Sequence, residues 1–129
     1  MGVRKKKISE HAEQAALFRW ARLAEGKYPK LRLLHAIPNG GARHIVTAVR
    51  LKTEGVKRGV PDIFLPVARA HYHGIYIELK SSMGRPSKEQ LAWIVALKAE
   101  AYCAEICYGW DEARKILEEY LALGRHWRV

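Results

Sequence analysis

The sequence predicts an α/β fold, a mixed sheet of about four strands flanked by helices. Two observations carry this reading. Short apolar runs, residues 31–37, 63–67, 75–80 and 102–107, alternate with longer stretches in which apolar residues recur at three-and-four spacing. The last two runs are separated by a helical stretch, and strand, helix and strand in succession imply a crossover with parallel pairing. At 129 residues, 49% of them hydrophobic, the chain suits one compact domain. Residues 1–8 form a basic arm, 9–124 the domain and 125–129 a basic tail.

Taken in order, Arg4-Lys5-Lys6-Lys7 gives the arm its charge, which is the ordinary state of a solvated terminus. Ser9 suits the N-cap of a helix running to about Ala24, with Gly26 beyond its end. Ala12, Ala16, Trp20 and Leu23 form its expected buried stripe, and Glu13 borders it, which by periodicity alone reads as flanking surface. The strand at 31–37 ends in Pro38-Asn39-Gly40-Gly41, a strong turn signal. The glycines there permit positive φ or allow a phosphodiester to approach the backbone, with Asn39 and Arg43 as donors. A second helix, 42–54, turns Ile45, Val46 and Val49 inward and stops at Gly55. Ser87 and Gln90 have capping-box spacing for a third helix, 88–101, whose Leu91, Trp93, Ile94, Val95 and Leu97 leave little polar face. Such a helix is either deeply buried or covered by a second chain. Asp111 is the expected cap of a last helix to about Leu123, with Ala113, Ile116, Leu117, Tyr120 and Leu121 inward.

Composition narrows the function. Lys and Arg number 23 against 13 Asp and Glu, a formal net charge of +10, and such a field attracts polyanions, nucleic acid first among them. No apolar run is long enough to span a bilayer and no basic amphipathic helix is evident, so a membrane partner is not expected. Cys103 and Cys107 read as small apolar residues of a reducing compartment, and a cytoplasmic protein is the default. His71 and His73 lie on a loop without acidic neighbours and read as solvated rather than metal-binding. Phosphate-loop, Rossmann and Ser-His-Asp motifs are lacking.

The chemistry is concentrated between Gly59 and Lys80. Asp62 follows Pro61 at the start of one apolar strand, and in Ile77-Glu78-Leu79-Lys80 a carboxylate and a lysine share one strand face. Two carboxylates brought together at the ends of adjacent strands repel unless a proton or a cation joins them, and clustered oxygens favour a divalent metal. Pro61-Asp62 followed by Glu78-Leu79-Lys80 resembles the PD-(D/E)xK nuclease core. With Ile37-Pro38-Asn39-Gly40-Gly41, Gly59-Val60-Pro61-Asp62-Ile63, Gln90 and the Glu13-Gln14 pair, the chain resembles the VRR-NUC branch over roughly residues 10–121.

That resemblance implies a restriction-endonuclease-like core. It also implies a Mg²⁺- or Mn²⁺-dependent DNA endonuclease, cutting branched DNA such as four-way junctions as a homodimer, in a viral or prophage replication and repair setting. It assigns the metal to Asp62, Glu78, the Leu79 carbonyl and Glu13, with Lys80 catalytic and Gln90 supporting the site. Around it, Asn39, Gly40, Gly41, Arg43, Lys57, Arg58 and Arg85 are the candidate DNA contacts, because the basic stretch leads into Pro61-Asp62. The apolar third helix and Trp127 in the tail are the candidate dimer surfaces. A flap or nicking nuclease of the same fold is the alternative within the resemblance, and two other functions fit the charge or the apolar helix alone: a non-catalytic nucleic-acid-binding module and a protein-interaction subunit.

Overall fold

The computed structural model describes residues 8–38 and 45–125. Helix α1 spans Glu10–Ala24, and the Ser9 side chain caps it by accepting from the Ala12 amide at 3.1 Å. Its buried line is Glu13, Leu17 and Ala21, one residue away from the expected stripe. Leu23 is 83% exposed and Ala12 is also outside. The apolar residues alone did not mark the inward face because a glutamate occupies part of it.

The expected strand at 31–37 is mostly something else. Pro29–Leu33 forms a 3₁₀ turn that buries Leu31, and only His35–Ala36 pairs as strand β1. Leu31 and Leu34, both buried, are three residues apart, a helical and not a strand spacing. Helix α2, Ile45–Thr53, stops as expected before Gly55, whose φ of +98° favours glycine. Val49 is exposed, not inward. The turn at Asn39, Gly40 and Gly41, together with Arg43, lies outside the described residues, as do the arm 1–7 and Trp127 in the tail.

Strands β2 (Ile63–Leu65), β3 (Ile75–Lys80) and β4 (Cys103–Tyr108) complete a four-stranded mixed sheet in the order β1-β2-β3-β4. The first two pairings are antiparallel and β3–β4 is parallel, joined through helix α3 (Lys88–Ala99) as the strand-helix-strand order requires. Ile63 pairs with Ile77, and Ile63, Leu65, Ile75, Ile77 and Leu79 are buried against Leu17 and Ala21 of α1 and Leu117 of helix α4 (Trp110–Ala122). Each such aliphatic side chain contributes about 1.5–3 kcal/mol when removed from water. On the other face, Phe64 stacks on Tyr76 at 4.2 Å between ring centroids, and further along that face α3 reaches Glu78.

Two details differ from expectation, and the cysteines agree with it. Gly109, at φ +93°, occupies the N-cap of α4, while Asp111 sits in its first turn and pairs with Arg114 at 2.8 Å. Helix α3 buries only Ile94 within its length, leaving Leu91 and Val95 exposed, so it is not deeply enclosed by its own chain. Cys107 is fully buried and Cys103 half-buried; burial pushes their thiols up to about 12 and about 11, which leaves both inert as small apolar groups. Among the described residues no helix is long and apolar enough to cross a membrane.

The connection from α2 into β2 passes hard against α3 at Gly59. A Cβ there would meet the Glu89 carbonyl carbon at 2.7 Å, and φ is +89°. Gly59→Ala therefore carries both strain and a clash, and should lower stability by about 1–3 kcal/mol. Gly26→Ala, with nothing within 4 Å, should stay within about 0.5 kcal/mol of wild type. Thermal unfolding of the two variants side by side checks the difference.

Candidate active site

The β2–β3 register sets the site. Ile63 faces Ile77, so the next position outward brings Asp62 beside Glu78. Pro61, buried and unable to donate to a ladder, ends the pairing there and leaves Asp62 at the strand mouth. Asp62 Oδ2 accepts from the Leu79 amide at 3.0 Å. Leu79, expected to offer its carbonyl, is seen here orienting the aspartate through its N–H.

Glu78 is 1% exposed. Its Oε1 accepts from Gln90 Nε2 at 2.8 Å, while Oε2 has no hydrogen-bond partner among the described residues. The capping box at the start of α3 fixes that contact. The Ser87 amide donates to Gln90 Oε1 at 2.8 Å and the Gln90 amide donates to Ser87 Oγ at 3.1 Å. Only the carbonyl end of the Gln90 side chain can face the Ser87 N–H, so the NH₂ end is directed at Glu78. Local capping and support of the site, both expected of Gln90, are therefore one arrangement.

Burial pushes the Glu78 carboxyl well above the ordinary range, and the negative charge of Asp62 pushes it further; Lys80 opposes both. Asp62 is raised too, again first by burial, with the Leu79 amide working against the shift. Two carboxylates that share a site do not both stay ionised unless a cation compensates them; otherwise one keeps a proton.

Lys80 follows on the same strand face, with 11% of its side chain exposed, and its Nζ lies 3.6 Å from Glu10 Oε1. Sequence reasoning passed over Glu10. It is the first residue of α1 after the Ser9 cap, one turn before Glu13 and so on a neighbouring face. Its charge also acts on Asp62 and Glu78. Glu13 is buried at the same end of the sheet, with Oε2 only 3.0 Å from where a Cβ on Gly109 would stand. The Gly109 amide donates to the Lys80 carbonyl at 2.9 Å, so Glu13 packs against the backbone that anchors the end of β3.

The donor set suits a hard cation. Carboxylate oxygens dominate it, and the orphaned Glu78 Oε2 is a buried acceptor that a divalent ion satisfies. Among the described residues no group of three His, Cys, Asp or Glu converges as a ligand cluster, His71 and His73 included. One or two carboxylates are the protein ligands that Mg²⁺ commonly takes when substrate phosphate and water fill the remaining positions.

Lys57, Arg58 and Arg85 are all exposed. The first two immediately precede the Gly59-Val60-Pro61-Asp62 approach, and Arg85 lies on the loop between Lys80 and α3. The Arg58 carbonyl accepts from Trp93 Nε1 at 3.1 Å, tying the basic segment to α3.

Comparison with known proteins identifies the domain and its fold. The family model of the VRR-NUC domain matches residues 3–111. A solved structure described as a VRR_NUC domain protein superposes with a TM-score of 0.80 at 29% identity, covering 94% of each chain. No curated protein matches. With most of its length inside the domain and the same fold throughout, the chain belongs to the VRR-NUC family, a family of nucleases that process DNA.

Proposed function

We propose that the protein is a Mg²⁺- or Mn²⁺-dependent endonuclease that hydrolyses phosphodiester bonds in branched DNA, acting as a homodimer. The observation that carries the catalytic part is the Asp62–Glu78 pair, Asp62 half-buried and Glu78 buried with no donor on its Oε2, with the Lys80 ammonium on the same strand face. Branched DNA and two-fold assembly rest on the resemblance to stand-alone members of the family; the exposed Leu91 and Val95 on α3 support a covered face.

Asp62 and Glu78 would hold the ion. When bound, it supplies positive charge against the scissile phosphate and acidifies neighbouring water. The chain's own residues do the rest. The Leu79 amide and the Gln90 NH₂ each occupy one carboxylate oxygen, so the remaining oxygens are aimed rather than free to rotate. Lys80 places a cation where negative charge develops, and Glu10 holds the ammonium in position, since a charge fixed beforehand needs no rearrangement in the transition state. We place Glu10, not Glu13, as the α1 carboxylate that acts on the reacting centre, because Glu10 is the one in ion-pair range of Lys80. Lys57, Arg58 and Arg85 steer the backbone toward the pair.

Glu78→Gln should reduce cutting of a labelled four-way junction by at least about a hundredfold, with DNA binding in Ca²⁺ little changed. Equal cutting by both proteins would refute the assignment. Glu10→Gln should lower cutting with the fold intact, whereas Glu13→Gln should register mainly as a lower melting temperature; the reverse pattern would return the catalytic role to Glu13.

The pair also fixes a pH dependence. The folded Glu78 carboxyl is raised from the ordinary 4.5 to about 8, so the metal-free protein is stabilised by the proton below about 4.5 and loses that stability as pH rises through about 8. In EDTA the melting temperature should therefore fall from pH 5 to pH 8, and Glu78→Gln should flatten the fall. Added Mg²⁺ should raise the melting temperature more at pH 8 than at pH 6, because it competes with the proton for the same oxygens.

A further inference from the structure

A cavity of about 320 Å³ is lined by Ile37, Val56, Val60 and Trp93, with Glu54 and Lys57 among its polar walls. It is joined to the site at three places. Val60 lies in the cavity wall and Asp62, two residues on, in the pair; two extended residues span about 7 Å. On α3, Gln90 holds Glu78 and Trp93, one turn later, faces the cavity. The Ile37 amide closes the arrangement by donating to the Asp62 carbonyl at 2.7 Å. Trp93 is itself fixed, through its bond to the Arg58 carbonyl.

We propose that this cavity receives one unpaired nucleobase of the DNA strand being cut, from the nucleotide next to the scissile phosphate. The inference rests on the nuclease reading above and deepens it. The volume admits a single base with its sugar but no base pair. Aliphatic walls and a held indole suit a planar, weakly polar ring, Glu54 and Lys57 offer an acceptor and a donor for its polar edge, and the basic 57–58 segment lies on the backbone's route to Asp62. A base must leave its stack to enter, and that step is cheapest where pairing is already broken. Branched DNA supplies such positions at the branch point. Selectivity for branches then comes from a pocket that a continuous duplex fills only by unstacking.

The test scans a single abasic nucleotide through the positions flanking the cut in a four-way junction and measures the cutting rate by wild type and by Val56→Trp, which fills the cavity. At one position the abasic substitution should slow wild type by about tenfold. Val56→Trp should be slowed similarly on intact DNA and lose nothing more on the abasic substrate. Trp93→Leu, with its melting temperature measured alongside, should behave in the same way. Cutting by wild type that is indifferent to the abasic nucleotide at every position overturns the proposal, as do independent, multiplying losses for variant and substrate. If wild type cuts no DNA in any metal, the nuclease reading fails separately. The cavity is then judged by 2-aminopurine placed at the branch: fluorescence that rises with wild type and not with Val56→Trp supports base capture, and no rise refutes it.

Discussion

Two carboxylates share a buried end of the sheet, and their repulsion is the constraint around which this molecule is arranged. A glutamate as buried as Glu78 is destabilising as an anion by several kcal/mol unless charge or hydrogen bonds compensate it. The chain compensates only in part. Gln90 satisfies one oxygen of Glu78, the Leu79 amide satisfies one of Asp62, and Lys80 lowers both carboxyls without restoring their ordinary range. What is left over is a proton-binding or cation-binding centre held in a fixed direction.

Helix α3 is the element that converts the fold into that centre. It is the crossover between the parallel strands β3 and β4, so its N-terminus returns over the sheet face that carries Glu78. The capping box is then more than a local stop signal, because the residue that closes it also reaches the glutamate. Gly59 admits the incoming backbone against the same helix at a distance no side chain would allow. Strand register, helix cap and close backbone approach therefore fix one another, and loosening any of them moves Asp62 relative to Glu78.

Much of this was legible in the sequence, for identifiable reasons. β3 and β4 were read correctly because apolar runs separated by a capped helix have few alternative arrangements, and the cap at Ser87 with Gln90 is specified by chemistry within four residues. α1 had the right ends and the wrong face. Its inward line includes Glu13, and a pattern built on apolar residues cannot place a buried acid. The strand expected at 31–37 failed because Pro29 starts a 3₁₀ turn that local apolar content does not distinguish from a strand. Glu10 was missed because its partner Lys80 is seventy residues away, and a long-range ion pair leaves no periodic trace. The cavity beside Val60 was invisible for the same reason: its walls come from four separate segments.

The basic surface and the buried pair point to different properties, and only together do they point to cutting. A net charge of +10 accounts for attraction to DNA and would serve a binding module equally well. A binding module, however, gains nothing from Asp62 and Glu78 where they stand. Apolar residues of similar volume in place of a buried polar cluster are commonly neutral or stabilising, so the pair stands at a cost to stability that binding alone does not require. The proposed phosphodiester hydrolysis would use each part: the carboxylate pair to hold a cation, Lys80 as a second positive charge, and the basic 57–58 segment on the way to Asp62.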